Sequence, residues 1–243
     1  MFPYLVNGGY LAANPWTLRR RKSRRRQRTV ERFLDHAVWE HVLAAIDAWP
    51  VKRARERQHA ERVRFVLRFL YHTALRASEA ANAKVSDFVL RRGRWWLRVV
   101  GKGQVAGEVP IGASLMDDYS RYRHFYSLPA TPSTTDANPV ILSITGRGNR
   151  ALTSTSVYLV VKEAFSRIAD ALDATEPAHA AQLRRASTHW LRHTAATHQA
   201  DAGTDSRYIQ RNLRHASIDT TAIYLHAEDD QRHERTTAKP QNL

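Results

Sequence analysis

The chain has 243 residues, and 38 Lys and Arg against 23 Asp and Glu give a formal charge of +15 with neutral histidines. Hydrophobic residues make up 43% of it, which is enough for a folded core and excludes a wholly disordered chain. The absence of Cys excludes disulfides, thiol catalysis and Cys-ligated zinc, and no apolar run reaches the roughly 18 residues that span a bilayer. The charge predicts a polyanionic partner, with nucleic acid first and an anionic membrane surface second.

The N-terminal part is unlike the rest of the chain. Residues 1–18 are punctuated by Gly, Asn and Pro, and residues 19–28 (RRRKSRRRQR) follow with eight basic residues in ten. Like charges at this density repel one another and predict an extended segment. Two interpretations stay open for it, a solvated linker and a segment that contacts DNA phosphates.

A globular pattern begins at Phe33 and is mostly helical. Apolar residues at a spacing of three to four predict helices over 35–48, 55–74, 113–127 and 153–173, with shorter ones around 189–201, 204–213 and 217–225. A Val- and Trp-rich stretch predicts strands at 86–91, 94–100 and 107–111, with turns at Arg92-Gly93 and Gly101–Gly107. A Pro/Thr/Ser loop is expected over 129–139. The fold class is therefore α+β, mostly helical, with a small three-stranded antiparallel sheet.

Two candidate site residues lie in the first half of this region. In TALRASEA (73–80), Arg76 follows an apolar helix, and its ordinary structural role would be an ion pair with Glu79 across one helical turn. Lys102 lies on a glycine-flanked turn between two predicted strands. Such glycines allow close approach to a ligand, but they are equally common in plain hairpins, where the lysine is solvated.

The segment STHWLRHTAATH (187–198) supplies a second pair. His189 and Arg192 are three residues apart and share a helix face. His193 joins His189 on one turn, but a zinc site there would lack the Glu of the HExxH pattern and a third ligand. We therefore predict no metal site.

The segment LRHASIDTTAIYLH (213–226) contains His215 and, nine residues later, Tyr224. Alone, such a tyrosine is usually a half-buried packing residue. Together with the other clusters it has a coherent chemistry, because arginine forks neutralise a phosphodiester under attack and a phenol can be the nucleophile. A nearby cation can protonate the departing deoxyribose oxygen.

Over about residues 33–228 the chain resembles the tyrosine recombinase (phage integrase) family. The resemblance rests on an ordered series of six residues: Arg76, Lys102, His189, Arg192, His215 and Tyr224. It implies the catalytic domain of that family, acting on double-stranded DNA without metal, ATP or another cofactor.

The resemblance also implies a role for each residue. Arg76 and Arg192 would clamp the scissile phosphate, and Tyr224 would attack it to form a 3′-phosphotyrosyl bond. Lys102 would be the general acid for the 5′-hydroxyl. His189 would act as general base or orienting group, and His215 would hydrogen-bond the phosphate.

The sequence departs from the family pattern in three places. Ala74 and Arg214 stand where the family commonly has Gly. Two interpretations of Arg214 stay open: it would be strained if that position is left-handed, or it would add a contact to phosphate. Only residues 1–32 precede the catalytic domain, and we expect them to be a remnant of the N-terminal core-binding domain plus the basic linker. The polar tail, residues 229–243, is either disordered or docks into a neighbouring protomer.

The expected function is a site-specific DNA recombinase or integrase in the bacterial cytoplasm, associated with the nucleoid. We expect a homotetramer on synapsed DNA, a monomer or weak oligomer otherwise, and no membrane partner. Three alternatives remain: an inactive truncated DNA-binding fragment, a type IB topoisomerase-like relaxer, and a basic RNA-binding protein, which leaves the six-residue series unexplained.

Overall fold

The computed structural model describes residues 2–10, 32–101, 106–143 and 150–214. Its helices in these ranges are α1 (Phe2–Asn7), α2 (His36–Asp47), α3 (Ala54–Thr73), α4 (Ala77–Asn82), α5 (Ala113–Phe125), α6 (Ser154–Leu172), α7 (Pro177–Arg185), α8 (Thr188–Asp201) and α9 (Ser206–Leu213). Its strands are β1 (Phe88–Arg91), β2 (Arg94–Val100) and β3 (Ala106–Ile111). No helix within these ranges is long and apolar enough to cross a membrane.

Helix α3 lies at the centre of the core. Its Phe65, Val66, Leu67 and Leu70 are fully buried, and the helix packs against α5, α6 and α8. Each buried side chain of this size contributes roughly 1.5–3 kcal/mol by leaving water. The predicted range, 55–74, differs from the observed helix by only one residue at each end, because Val63, Val66, Leu67 and Leu70 repeat at the three-to-four spacing of a helix.

The three strands form one antiparallel sheet in the order β1-β2-β3, as predicted. Leu97 lies opposite Phe88 on one side and Val109 on the other, and all three are buried. Arg92 and Gly93 both have positive φ, 49° and 71°, which is the signature of a tight hairpin turn that follows the twist of the strands.

The first strand begins later than predicted. A 3₁₀ turn, Val85–Asp87, precedes it, and the backbone N–H groups of Val85 and Ser86 donate to the carbonyls of Asn138 and Asp136. These hydrogen bonds join residues about fifty positions apart, so the pattern of neighbouring residues could not predict where the strand begins. Helices α1, α4 and α7 were also not predicted, and the helix predicted at 217–225 lies outside the described residues.

Candidate active site

Arg76 is placed by a sharp break between two helices. Helix α3 ends at Thr73, and Ala74 takes a left-handed conformation with φ 50°, which turns the chain into α4. The backbone N–H of Arg76 donates to Glu79 Oε2 and its Nη1 to Glu79 Oε1, both at 2.8 Å. The expected ion pair with Glu79 is therefore present, while 41% of the Arg76 side chain remains exposed.

Arg192 joins the ends of two helices from a buried position on α8, where its side chain is 2% exposed. Its Nη1 donates to the carbonyl of Ala74 at 2.6 Å, and its Nη2 donates to the carbonyl of Leu213. These are carbonyls at the C-terminal ends of α3 and α9, where a cation is favoured by unpaired acceptors and by the helix dipole. Two separate helices thus fix the guanidinium.

Glu79 lies at the centre of a cluster of three arginines. Its carboxylate, 3% exposed, accepts from Arg76, lies 4.0 Å from Nη1 of Arg192, and accepts a hydrogen bond from Nη2 of Arg214. One negative charge facing three positive ones leaves a net positive site, which favours a phosphate. The sequence predicts Glu79 only as a local partner of Arg76, because the other two contacts come from distant parts of the chain.

His189 completes the cavity around these arginines. It lies on α8 one turn before Arg192, and both line a cavity of about 450 Å³ together with Arg76. Burial lowers the pKa of the His189 imidazole, and the positive charges of Arg192 and Arg76 lower this pKa further. The ring is therefore neutral near pH 7 and can accept a proton.

A wider groove of about 1990 Å³ also has Arg76 in its wall. In the part of the chain that the structure describes, seven arginines and a single carboxylate, that of Glu108, line it, together with Trp96 and Tyr208. The arginines come from the end of α3, the β1–β2 hairpin and α9: Arg76, Arg91, Arg92, Arg94, Arg207, Arg211 and Arg214. Six of these side chains are exposed and suit the phosphates of a duplex, whereas the side chain of Arg214 is only 8% exposed. The segments RRGR (91–94) and RYIQR (207–211) contain most of these arginines, and the sequence analysis did not assign them to a DNA-binding surface.

Three of the six predicted site residues, Lys102, His215 and Tyr224, lie outside the described residues. The other three, Arg76, His189 and Arg192, are brought together in one cavity. The sequence analysis predicts strain at Arg214 if its backbone is left-handed, and the structure gives it a left-handed backbone with φ 51° and ψ 45°.

One group of possible metal ligands occurs in the described part of the chain. The donor atoms of His41, Glu176 and His179 all lie within 4.8 Å of one another, on α2 and at the start of α7. None of the three lines either cavity. His189 and His193 belong to no such group among the described residues.

Comparison with known proteins gives concordant matches. The model of the phage integrase family matches residues 32–231. The tyrosine recombinase XerC of Pelobacter propionicus is 33% identical over 176 residues, 72% of this chain and 51% of that protein. XerC of Mycobacterium sp. (strain KMS) is 30% identical over 239 residues, 96% of this chain and 72% of the relative.

Solved structures agree. The XerH site-specific recombinase bound to palindromic difH substrate, in a post-cleavage complex, matches with a TM-score of 0.58 and 26% identity over 85% of this chain and 52% of that one. XerA recombinase matches with a TM-score of 0.58 at 19% identity, covering 90% of this chain and 68% of that one, which shows a shared fold. The chain spans about half the length of the P. propionicus XerC and of the XerH chain.

Proposed function

The chain belongs to the phage integrase family, and from this premise we propose that it breaks and rejoins duplex DNA in site-specific recombination or integration. The observation that carries the proposal is the cavity in which Arg76, His189 and Arg192 converge beside the buried Glu79 carboxylate. Two fixed guanidinium groups can stabilise the charge that develops on a phosphate under attack, and a neutral imidazole can accept the proton of a nucleophile.

The proposed reaction is a transesterification. The Tyr224 oxygen attacks the scissile phosphorus, a tyrosyl–phosphorus bond forms, and the bond from phosphorus to the 5′-oxygen breaks. His189 takes the phenol proton, Lys102 gives a proton to the departing 5′-oxygen, and His215 hydrogen-bonds the phosphate. Negative charge that develops on the non-bridging oxygens is stabilised by Arg76 and Arg192, which do not have to move to meet it.

The reaction as proposed needs neither ATP nor a metal ion. Because one phosphate ester replaces another, the bond energy is kept in the phosphotyrosyl link, and a 5′-hydroxyl can reverse the step. Guanidinium groups supply the positive charge at the phosphate. The donor set of Arg76, His189 and Arg192 offers one imidazole and no carboxylate directed at the phosphate, which is a poor ligand set for a divalent ion.

The wider groove supports double-stranded DNA as the substrate. Its arginines come from elements on two sides, the β1–β2 hairpin and α9, so they can contact phosphates along a backbone. In this proposal residues 33–228 form the catalytic domain, residues 19–28 contact the duplex or link to a further domain, and four copies act on two synapsed duplexes. Residues 1–18 and the tail, 229–243, carry no catalytic group.

Covalent trapping tests the proposal. Nicked duplexes of random sequence are incubated with the protein, so that a short cleaved strand diffuses away and the adduct accumulates. A denaturing gel should show a protein–DNA band that Tyr224→Phe abolishes and that Tyr10→Phe, at an exposed tyrosine outside both cavities, leaves unchanged. An equal yield from Tyr224→Phe would refute the proposal.

A binding measurement and a plasmid-relaxation assay, run beside the trapping assay, separate the alternatives. Salt-sensitive DNA binding without any adduct would identify an inactive DNA-binding protein. Relaxation of a supercoiled plasmid that lacks a target site would identify a topoisomerase-like enzyme, since that activity shares the chemistry but not the choice of site.

A further inference from the structure

Arg214 holds a conformation that is costly for its residue type. It ends α9 with φ 51° and ψ 45°, in the left-handed region where a side chain crowds its own backbone. Three other non-glycine residues in the described ranges share positive φ, but Arg92 and Ser127 are in surface turns and Ala74 has the smallest side chain. Strain of this kind persists where the surroundings determine the conformation, which is common at functional sites.

The Arg214 side chain runs inward from this position and is 8% exposed. Its Nη2 donates to Glu79 Oε2 and its Nη1 donates to the carbonyl of Asn212 at 3.1 Å, while its Nε is buried and has no hydrogen-bond partner among the described residues. A buried cation with an unsatisfied donor is unfavourable for folding. The charge is therefore not explained by stability alone, and its burial keeps it from being a simple surface contact for DNA.

The aliphatic part of the side chain lies across Gly107. A Cβ atom built on Gly107 would be 2.7 Å from Cδ of Arg214 and 3.2 Å from its Cγ. Gly107 is the second residue of β3, close to the end of the β2–β3 pairing, and residues 102–105, which include Lys102, lie outside the described residues. Arg214 therefore touches three parts of the fold: the end of α9, the carboxylate in α4 and the first residues of β3.

We propose that Arg214 is a positioning residue that locks Glu79 against Arg76 and Arg192 and sets the base of the β2–β3 hairpin. It acts through Glu79, since both phosphate-clamp arginines approach that same carboxylate. Gly107 is its necessary counterpart, because only a residue without a side chain leaves room for the arginine stem. The expected effect of Arg214 on cleavage rests on the proposed function, whereas its contact with Gly107 rests on geometry alone.

The contact is tested by thermal unfolding, without any activity. Gly107→Ala should lower the melting temperature by about 2–10 °C when Arg214 is present, since overpacking is destabilising. In the Arg214→Gly background the same change should shift it by less than about 2 °C, because the clashing atoms are gone. Equal shifts in the two backgrounds would overturn the proposed pairing, and Arg214→Ala, which also lacks Cγ and Cδ, serves as the background if Arg214→Gly folds poorly.

The positioning role is tested by single-turnover cleavage of a nicked duplex at saturating DNA, with the dissociation constant measured separately. Arg214→Met keeps the stem and removes the charge, and it should slow cleavage by about 10–100-fold, as expected for sub-ångström to ångström misplacement of reacting groups. The dissociation constant should change less than about threefold. Arg214→Lys should recover part of the rate, because an ammonium can still pair with Glu79.

Arg184→Met is the matched control. It removes one cation from an exposed site on α7, where Arg184 pairs with Asp170 and Asp173, and it should leave the saturated rate unchanged. Cleavage by Arg214→Met within threefold of the wild-type rate would overturn the positioning role. If the wild-type protein forms no adduct, the proposed function fails while the thermal experiment still decides whether Arg214 packs on Gly107.

Discussion

The buried carboxylate of Glu79 is the feature on which the arginine cluster depends, and Glu79→Gln tests this. The variant keeps the size of the side chain and one carbonyl acceptor but removes the charge. The side chains of Arg192 and Arg214, 2% and 8% exposed, then have no counter-charge in Glu79. Removing one partner of a buried ion pair costs about 3–5 kcal/mol, because the remaining charge is left uncompensated.

The remaining acceptor reduces that cost. Glutamine can still accept the backbone N–H of Arg76, and one hydrogen bond is worth about 1 kcal/mol. We therefore expect a loss of about 2–4 kcal/mol in the free energy of unfolding at pH 7. At roughly 2–4 °C per kcal/mol for a protein of this size, the melting temperature should fall by about 4–16 °C.

Calorimetry or circular dichroism measures the loss, and Glu163→Gln is its control. Glu163 is an exposed acid 3.8 Å from Arg167, so its removal should cost less than about 1 kcal/mol. Adding duplex DNA should restore more stability to Glu79→Gln than to the wild-type protein, because phosphate can replace the missing negative charge. Ligand at a hundredfold excess over its dissociation constant stabilises by about 2.7 kcal/mol. A loss below about 1 kcal/mol would show that Glu79 does not neutralise the cluster.

Three further variants or conditions test other parts of the proposal. Arg192→Ala should lower the cleavage rate by roughly 10²–10³, the usual effect of removing a charge-stabilising donor, and a rate within threefold of wild type would contradict the clamp role. Arg92→Asn should raise the melting temperature by about 1–4 °C, since Asn-Gly is the preferred pair for a turn with two positive φ angles; unchanged or lower stability would count against that turn type. Burial lowers the pKa of His72 and His198, so the folded protein binds fewer protons than the unfolded chain. The free energy of unfolding should therefore be highest above the ordinary histidine pKa of 6.5 and should fall as the pH decreases through the lowered pKa values. Between pH 7.5 and 5.5, it should change less in His198→Gln than in the wild-type protein.

Local patterns predicted the elements whose energetics are local. Helix α3 has an unbroken apolar face, and the β1–β2 hairpin has a turn that only a few sequences accept, so both were predicted to within two residues. The left-handed conformation at Arg214 was raised only as a condition, from the glycine that the family commonly has there, and the strain that follows from it is a property of one residue.

The centre of the site could not be predicted in this way. Glu79 looked like the partner of Arg76 three residues away, and that pair is present, but its contact with Arg214 spans 135 residues. Arg192 is fixed by carbonyl groups whose exposure depends on where α3 and α9 end. A single sequence carries no signal for such contacts, because they depend on how helices meet.

The positive charge of the chain includes exposed groove arginines and a buried arginine, and the two kinds should respond differently to salt. The groove arginines, such as Arg94 and Arg211, act at the surface, where counterions compete, whereas Arg192 is buried and little screened. With about six to ten phosphate contacts, affinity should fall by roughly 10³–10⁵ between 50 and 200 mM salt. The cleavage rate of the bound complex, measured at saturating protein in each salt, should change by less than about threefold. Replacing Arg19–Arg21 with Ala should reduce the salt slope by roughly 0.9 for each lost contact, and an unchanged slope would identify that run as a linker. A cleavage rate that fell with salt as steeply as affinity would mean that Arg192 is as accessible to ions as the groove arginines, which would contradict its burial.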